Sequence, residues 1–154
     1  MTQRLLPMLA FLAALLPAAP ALAQQKVEIK ADLFTVDETT QAAVFTGNVV
    51  VTHPTVTVWA PKVVAVYGSG GPSDIESFEA SGGNVRLKTA DQDATGEKAV
   101  FNPGDQLLRL TGNVMVTNAS GTIGASELVV NLKTNVSTFS GGSGGRVTGV
   151  FNSQ

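Results

Sequence analysis

Beyond residue 25 the chain alternates apolar and polar residues, and the alternation restarts at small residues. Phe45, Val49 and Val51 share one parity, and Thr46, Asn48 and Thr52 the other. Leu110, Val114 and Val116 repeat this against Thr111, Asn113 and Thr117, and Val85 and Leu87 occupy the matching places in a third copy. Successive strand side chains point to opposite faces, so the pattern predicts half-buried β-strands with an apolar inner and a polar outer face.

The strands carry a repeated text. Phe45-Thr-Gly-Asn-Val-Val-Val-Thr52, Gly82-Gly-Asn-Val-Arg-Leu-Lys-Thr89 and Leu110-Thr-Gly-Asn-Val-Met-Val-Thr117 each place Gly-Asn before a β-branched run. Gly and Asn both tolerate positive φ, so the pair predicts a tight turn or bulge. A second strand type aligns Ile29–Asp37 with Ile123–Asn131 without gaps, with further copies over Val58–Tyr67 and Ala94–Phe101. Turn-forming text follows them: Asp37-Glu-Thr-Thr-Gln, Asn102-Pro-Gly-Asp and Lys133-Thr-Asn.

Small residues at Ala31, Gly47, Ala60, Gly83, Gly96, Gly112, Ala125 and Gly141 are separated by 16, 13, 23, 13, 16, 13 and 16 positions. With seven residues taken from the one long step, the period is a constant 29. Such periodicity marks an array of one β unit, and it directs the search for function to a continuous surface. The units predict two sheets folded against each other, each unit passing once through both, around one long apolar lane. Inward parity in the second strand type is divided: Val58, Ala60, Val64 and Val66 oppose Val63, Ala65 and Tyr67. Two arrangements fit, a bulge that switches the face mid-strand or cover on both faces. The terminal units present open strand edges, and Arg146–Phe151 carries little charge to protect one. Strand addition by another chain is the expected use of such an edge.

Arg4, the apolar run Leu5–Leu16 and the small-x-small site Ala21-Leu-Ala23 read as a cleavable secretory signal over residues 1–23, with residues 24–154 as a single domain. Pro17 and Pro20 break the run short of a membrane span. Cysteine is absent, which suits a secreted bacterial β-protein large enough to need no disulfide. Without Arg4, nine basic residues face twelve acidic ones and are scattered, which does not suggest nucleic-acid binding. His53 is the sole histidine and reads as an exposed turn residue. Gly68-Ser-Gly-Gly-Pro and Gly141-Gly-Ser-Gly-Gly open no helix and read as loops, not phosphate cradles. No nucleophile–base set, carboxylate pair or metal cluster can be assembled, so neither an enzyme nor a cofactor is expected.

The ordered boxes make the chain similar to the LptA/OstA family of periplasmic lipopolysaccharide transport proteins. They are Ile-x-Ala-Asp at 29–32, Phe-Thr-Gly-Asn-Val at 45–49, Ala-x-Lys at 60–62, Gly-Asn-Val at 83–85, Gly-x-Lys-Ala-Val-Phe at 96–101, Leu-Thr-Gly-Asn-Val at 110–114 and Arg-Val-x-Gly-Val-Phe at 146–151. The resemblance covers about residues 26–151. It implies an all-β, incompletely closed, twisted β-jelly roll that carries lipopolysaccharide acyl chains in an apolar groove. It also implies end-to-end assembly, homo-oligomeric and with an LptC-like inner-membrane protein and an LptD-like outer-membrane protein.

On this reading the groove residues are Phe45, Val49, Val51, Val85, Leu87, Leu110, Val114 and Val116. The docking edges are Val27 and Ile29 at one end and Val147, Val150 and Phe151 at the other. Lys62, Lys88, Lys98 and Arg86 read as solvated charge, with lipid phosphates at the groove rim as the alternative. Two other readings stay open: an LptC-like component of the same system, and a structural β-solenoid without lipid cargo.

Overall fold

The computed structural model describes residues 26–142 and 145–153; the expected signal over residues 1–23 lies outside them. Twelve strands follow one another without a helix: β1 (Glu28–Lys30), β2 (Leu33–Asp37), β3 (Ala42–Thr52), β4 (Thr57–Tyr67), β5 (Ile75–Ser81), β6 (Val85–Lys88), β7 (Gln92–Gly96), β8 (Lys98–Asn102), β9 (Leu107–Asn118), β10 (Gly121–Asn131), β11 (Val136–Ser140) and β12 (Thr148–Phe151). All pairings are antiparallel.

The register reveals a simpler plan than twelve strands. β1 with β2 both pair β3; β5 with β6 both pair β4; β7 with β8 both pair β9; and β11 with β12 both pair β10. Each of these couples is one bent strand interrupted at its bend, while β3, β4, β9 and β10 run through theirs. The chain is therefore a meander of bent strands, each lying half in one layer and half in a second. One layer holds β2, β5, β8 and β11 with the adjoining halves of the long strands; the other holds β1, β6, β7 and β12 with the remaining halves. A 29-residue unit thus contains two bent strands and crosses both layers twice, not once as the sequence pattern suggested.

The bends are where the small residues fall. In β3 the register slips between Thr46 and Val49, so that Gly47 and Asn48 together oppose Pro61 of β4. In β9 and β10 the corresponding slip places Gly112 and Asn113 opposite Ser126. Gly47 (φ 84°), Asn48 (46°), Gly112 (82°) and Asn113 (47°) all take the left-handed backbone that Gly and Asn enter most cheaply. The Gly-Asn pair is a bulge inside a strand, and the run before it belongs to the same strand as the run after it.

The bulge also settles the divided parity. On β4, Ala60 is buried before the bend and Val63, Ala65 and Tyr67 after it, while Val64 and Val66 lie on the outer face. On β10 the inward set passes from Ile123 and Ala125 to Leu128 and Val130. Of the two arrangements, the face switch is the one adopted. Opposite β4 and β10, the extra residue of each bulge keeps the inward parity of β3 and β9 unchanged.

Turns are built from the text that announced them. Asp37 Oδ1 accepts bonds from the Thr39 and Thr40 N–H groups at 2.9 and 3.3 Å, and Asn131 Oδ1 from Lys133 and Thr134 at 3.0 and 3.1 Å. Backbone bonds hold Asp37 below the ordinary carboxylate range. One buried cluster joins the two layers, with Val49, Val85 and Val114 from one and Val63, Ala99 and Leu110 from the other.

An apolar cleft between the layers as candidate functional site

The fold closes on one side and gapes on the other. Along the bends the layers are stitched together. Asp32 N–H donates to Gly47 O at 3.0 Å and Glu97 N–H to Thr111 O at 2.9 Å. Asn48 Nδ2 reaches the Asp32 carboxylate at 3.1 Å, and Asn113 Nδ2 reaches Glu97 at 2.9 Å. Each carboxylate lies 16 residues before its amide, so the repeat places the same clasp at equivalent bends. A side chain at Gly112 would stand 2.7 Å from Glu97 Cβ, which explains glycine at that position beyond its φ.

Away from the bends the layers are joined by no backbone bond, and an open cleft of roughly 560 Å³ lies between them. Its inner walls are Val51, Val56 and Val58 on one side and Val63, Ala80, Ala99 and Leu108 on the other. Its lips are Val27 and His53 on one layer, Phe78, Phe101 and Leu132 on the other. Phe78 and Phe101 stack at 6.4 Å between centroids, and His53 meets Phe101 across the mouth at the same separation. Imidazole apart, nothing that lines the cleft is polar. Partial burial holds His53 below the ordinary histidine value. The space suits a flexible hydrocarbon and offers no group to polarise or attack a bond.

Every residue expected in the groove faces inward, but the positions divide. Val49, Val85, Leu87, Leu110, Val114 and Val116 are buried in the cluster between the layers. Phe45 and Val51 are partly buried against that cluster, and of the eight only Val51 lines the cleft. The remaining wall residues come largely from β4, β5 and β8, where the face switch concealed their parity. A signal for them was present: the Asp32–Asn48 and Glu97–Asn113 spacing marks the bend at which parity must be recounted.

The cations expected to have access to a rim are placed elsewhere. Arg86 lies over the Trp59 ring, its guanidinium 5.3 Å from the centroid, and pairs with the Asp93 carboxylate on the outer face. Lys98 meets Glu79 at 3.2 Å, and neither Lys62 nor Lys88 lines the cleft.

The ends of the meander are open. β1 and β2 form one end, β11 and β12 the other. Of the nine large apolar side chains left exposed, all but Met115 lie in or beside these terminal strands. Ile29 sits in β1 opposite Val51; Val27 and Val147 immediately precede β1 and β12; Val150 and Phe151 lie in β12 at 67% and 61% exposure. Leu33, Phe34 and Val36 of β2 and Val136 of β11 belong to the same edges and were not singled out by their sequence. Phe34 stacks on Phe45 at 4.6 Å, so the inner apolar surface continues out of the open end.

Comparison with known proteins was made on this geometry. A family model described as LptA/(LptD N-terminal domain) LPS transport protein matches residues 28–136. An uncharacterized protein of Rhizobium meliloti (strain 1021) is 34% identical over 98 residues, covering 60% of this chain and 52% of that one. The chain thus spans about half the length of this curated relative. The crystal structure of LptH from Pseudomonas aeruginosa, the LptA-homologous periplasmic component of its lipopolysaccharide transport device, superimposes with a TM-score of 0.72. That match covers 84% of this chain and 96% of LptH at 18% identity, and speaks to the fold alone.

Proposed function

Because the chain belongs to the family of LptA and LptD N-terminal lipopolysaccharide transport domains, we propose that it is a periplasmic carrier whose interlayer cleft holds lipopolysaccharide acyl chains. The observation that carries this reading is the wholly apolar cleft left open to solvent along the side of the roll that the bends do not close. Each CH₂ withdrawn from water contributes about 0.8 kcal/mol, so a multiply acylated lipid needs such shelter to cross an aqueous space. A lane without charges lets an acyl chain slide between similar sites, while the sugars remain in water.

The open ends supply the second half of the proposal. Copies join end to end, the β1–β2 edge of one against the β11–β12 edge of the next, and the lane becomes continuous. Phe34, Val36, Val147 and Phe151 are exposed in a single copy and become covered in the array. An LptC-like protein at the inner membrane and an LptD-like protein at the outer membrane are the partners that would terminate such a bridge. No catalysis is assigned to the chain.

A photo-crosslinking amino acid at Val51, inside the cleft, and at Thr117, on the exposed outer face, tests the cargo in living cells. The expected result is a lipopolysaccharide adduct at Val51 and none at Thr117. A folded, periplasmic protein with no adduct at Val51 would refute the carrier reading in favour of a structural roll.

A further inference from the structure

The cleft wall is apolar throughout, yet its mouth is not. Beside the cleft a second, more polar hollow shares Val27, His53, Phe78, Phe101 and Leu132 with it and adds Thr55, Pro103 and Gln106. An amphiphile with its chain among Val51, Val63 and Ala99 has its head in this hollow. Its polar side chains are one imidazole, one hydroxyl and one amide, and none is a carboxylate.

The imidazole is held in place. The turn is closed by His53 N–H to Val56 O at 2.9 Å and Val56 N–H to His53 O at 3.3 Å. Nδ1 accepts the Thr55 N–H at 3.3 Å and lies 2.9 Å from Thr55 Oγ1, a hydroxyl able to donate to the neutral ring or accept from the charged one. The ring edge rests against Phe101 of the opposite layer.

Charged residues on the surrounding elements leave the mouth without a competing anion. Glu28 pairs with Lys30 at 3.4 Å and Glu79 with Lys98 at 3.2 Å. Asp105 accepts the Leu107 N–H of its own turn at 3.2 Å, and Glu76 stands beside Gly68 and Asp74. Lys26 and Lys133 are exposed neighbours in sequence of the lining residues Val27 and Leu132.

From this placement we propose that the His53 mouth is a subsite for the phosphate head of a phosphorylated amphiphile whose acyl chain lies in the cleft. The inference rests on the carrier reading and specifies which amphiphiles the lane prefers. An anionic phosphate oxygen beside the ring favours imidazolium, whose N–H then donates a charge-assisted hydrogen bond, with Thr55 and Gln106 as further donors. Partial burial depresses proton binding in the empty protein, so head binding and proton uptake reinforce each other. Affinity for a phosphorylated amphiphile therefore rises as pH falls, and affinity for an uncharged one does not.

The chain's sole histidine makes the test direct. The imidazole resonances of the protein are titrated alone, with dodecanoyl lysophosphatidylglycerol, with dodecyl maltoside and with inorganic phosphate. The phosphodiester keeps one charge from pH 5 to 8, so any pH dependence belongs to the protein. With lysophosphatidylglycerol the midpoint should move upward, equivalent to about a tenfold gain in proton affinity; maltoside and inorganic phosphate should leave it in place. Displacement of an apolar dye by lysophosphatidylglycerol should be several-fold tighter at pH 5.5 than at pH 8, and His53→Gln should abolish that difference while maltoside binding persists. Both amphiphiles displacing dye without moving the midpoint would overturn the subsite and leave the lane standing. A midpoint moved by inorganic phosphate alone would overturn it in favour of a free-anion site. Failure of either amphiphile to displace dye would overturn the lane and the subsite together.

Discussion

Substituting Ala for Gly112 tests whether the bends are closed by the clasp or merely by backbone conformation. Gly112 and Gly83 both adopt positive φ, 82° and 92°. A methyl at Gly83 would meet nothing within 4 Å, whereas one at Gly112 would stand 2.7 Å from Glu97 Cβ. Gly83→Ala therefore reports backbone strain alone, roughly 1 kcal/mol. Gly112→Ala adds the crowding of Glu97, about 1 kcal/mol, and loss of the Asn113–Glu97 hydrogen bond, about 0.5–1 kcal/mol. The expected difference is about twofold to threefold in destabilisation. For a domain of this size each kcal/mol lowers Tm by about 4 °C. Thermal unfolding followed by far-UV circular dichroism resolves such a gap, with urea unfolding to supply the free energies. Equal losses for the two variants would show that Glu97 does not pack on the bulge, and the account of the bends would fail.

The other predictions bear on the edge, the sole histidine and the outer face. Asn152 N–H donates to Ser120 O, so the N–H groups of even-numbered β12 residues face β10 and that of Phe151 faces outward. Phe151→Pro should leave the monomer folded and abolish concentration-dependent assembly in light scattering; unchanged assembly would show that this edge is not the dock. His53 has its folded-state value depressed below the ordinary 6.5, so between the two values the unfolded chain binds more protons. The contribution is complete above pH 6.5 and lost as pH falls through the folded value, and His53→Gln should flatten the Tm–pH curve in that window. Arg86→Met removes the cation over Trp59 and frees Asp93 to rise toward the ordinary carboxylate value. The pair is exposed, so Tm should barely move, while the emission of the only tryptophan changes; an unaltered spectrum would deny the stacking.

Much of this architecture was legible along the chain, for reasons that are local. Alternation reports which strand faces are apolar, because side-chain period and backbone pleat are the same property. Gly-Asn reports a backbone that few other residues enter. The 29-residue recurrence reports the unit, and the uncharged text of Val147–Phe151 reports an unprotected edge.

Three features escaped that reading, and each depends on residues far apart in sequence. The bulges at Gly47–Asn48 and Gly112–Asn113 exist only relative to Pro61 and Ser126 across the ladder, and until the partner is known a bulge and a turn read alike. The inward parity of β4 and β10 changes at those crossings, so Val63, Ala65 and Leu128 could not be assigned to the interior from their own strand. The division of apolar residues into sealed core and open cleft was least legible. Val49 and Val51 have the same chemistry, parity and strand, yet one is sealed and the other lines the cleft. Alternation determines that both point inward. Only the divergence of the two layers away from the stitched bends decides which of them can reach a ligand, because that distance is set by pairing across the whole meander and not by any one strand.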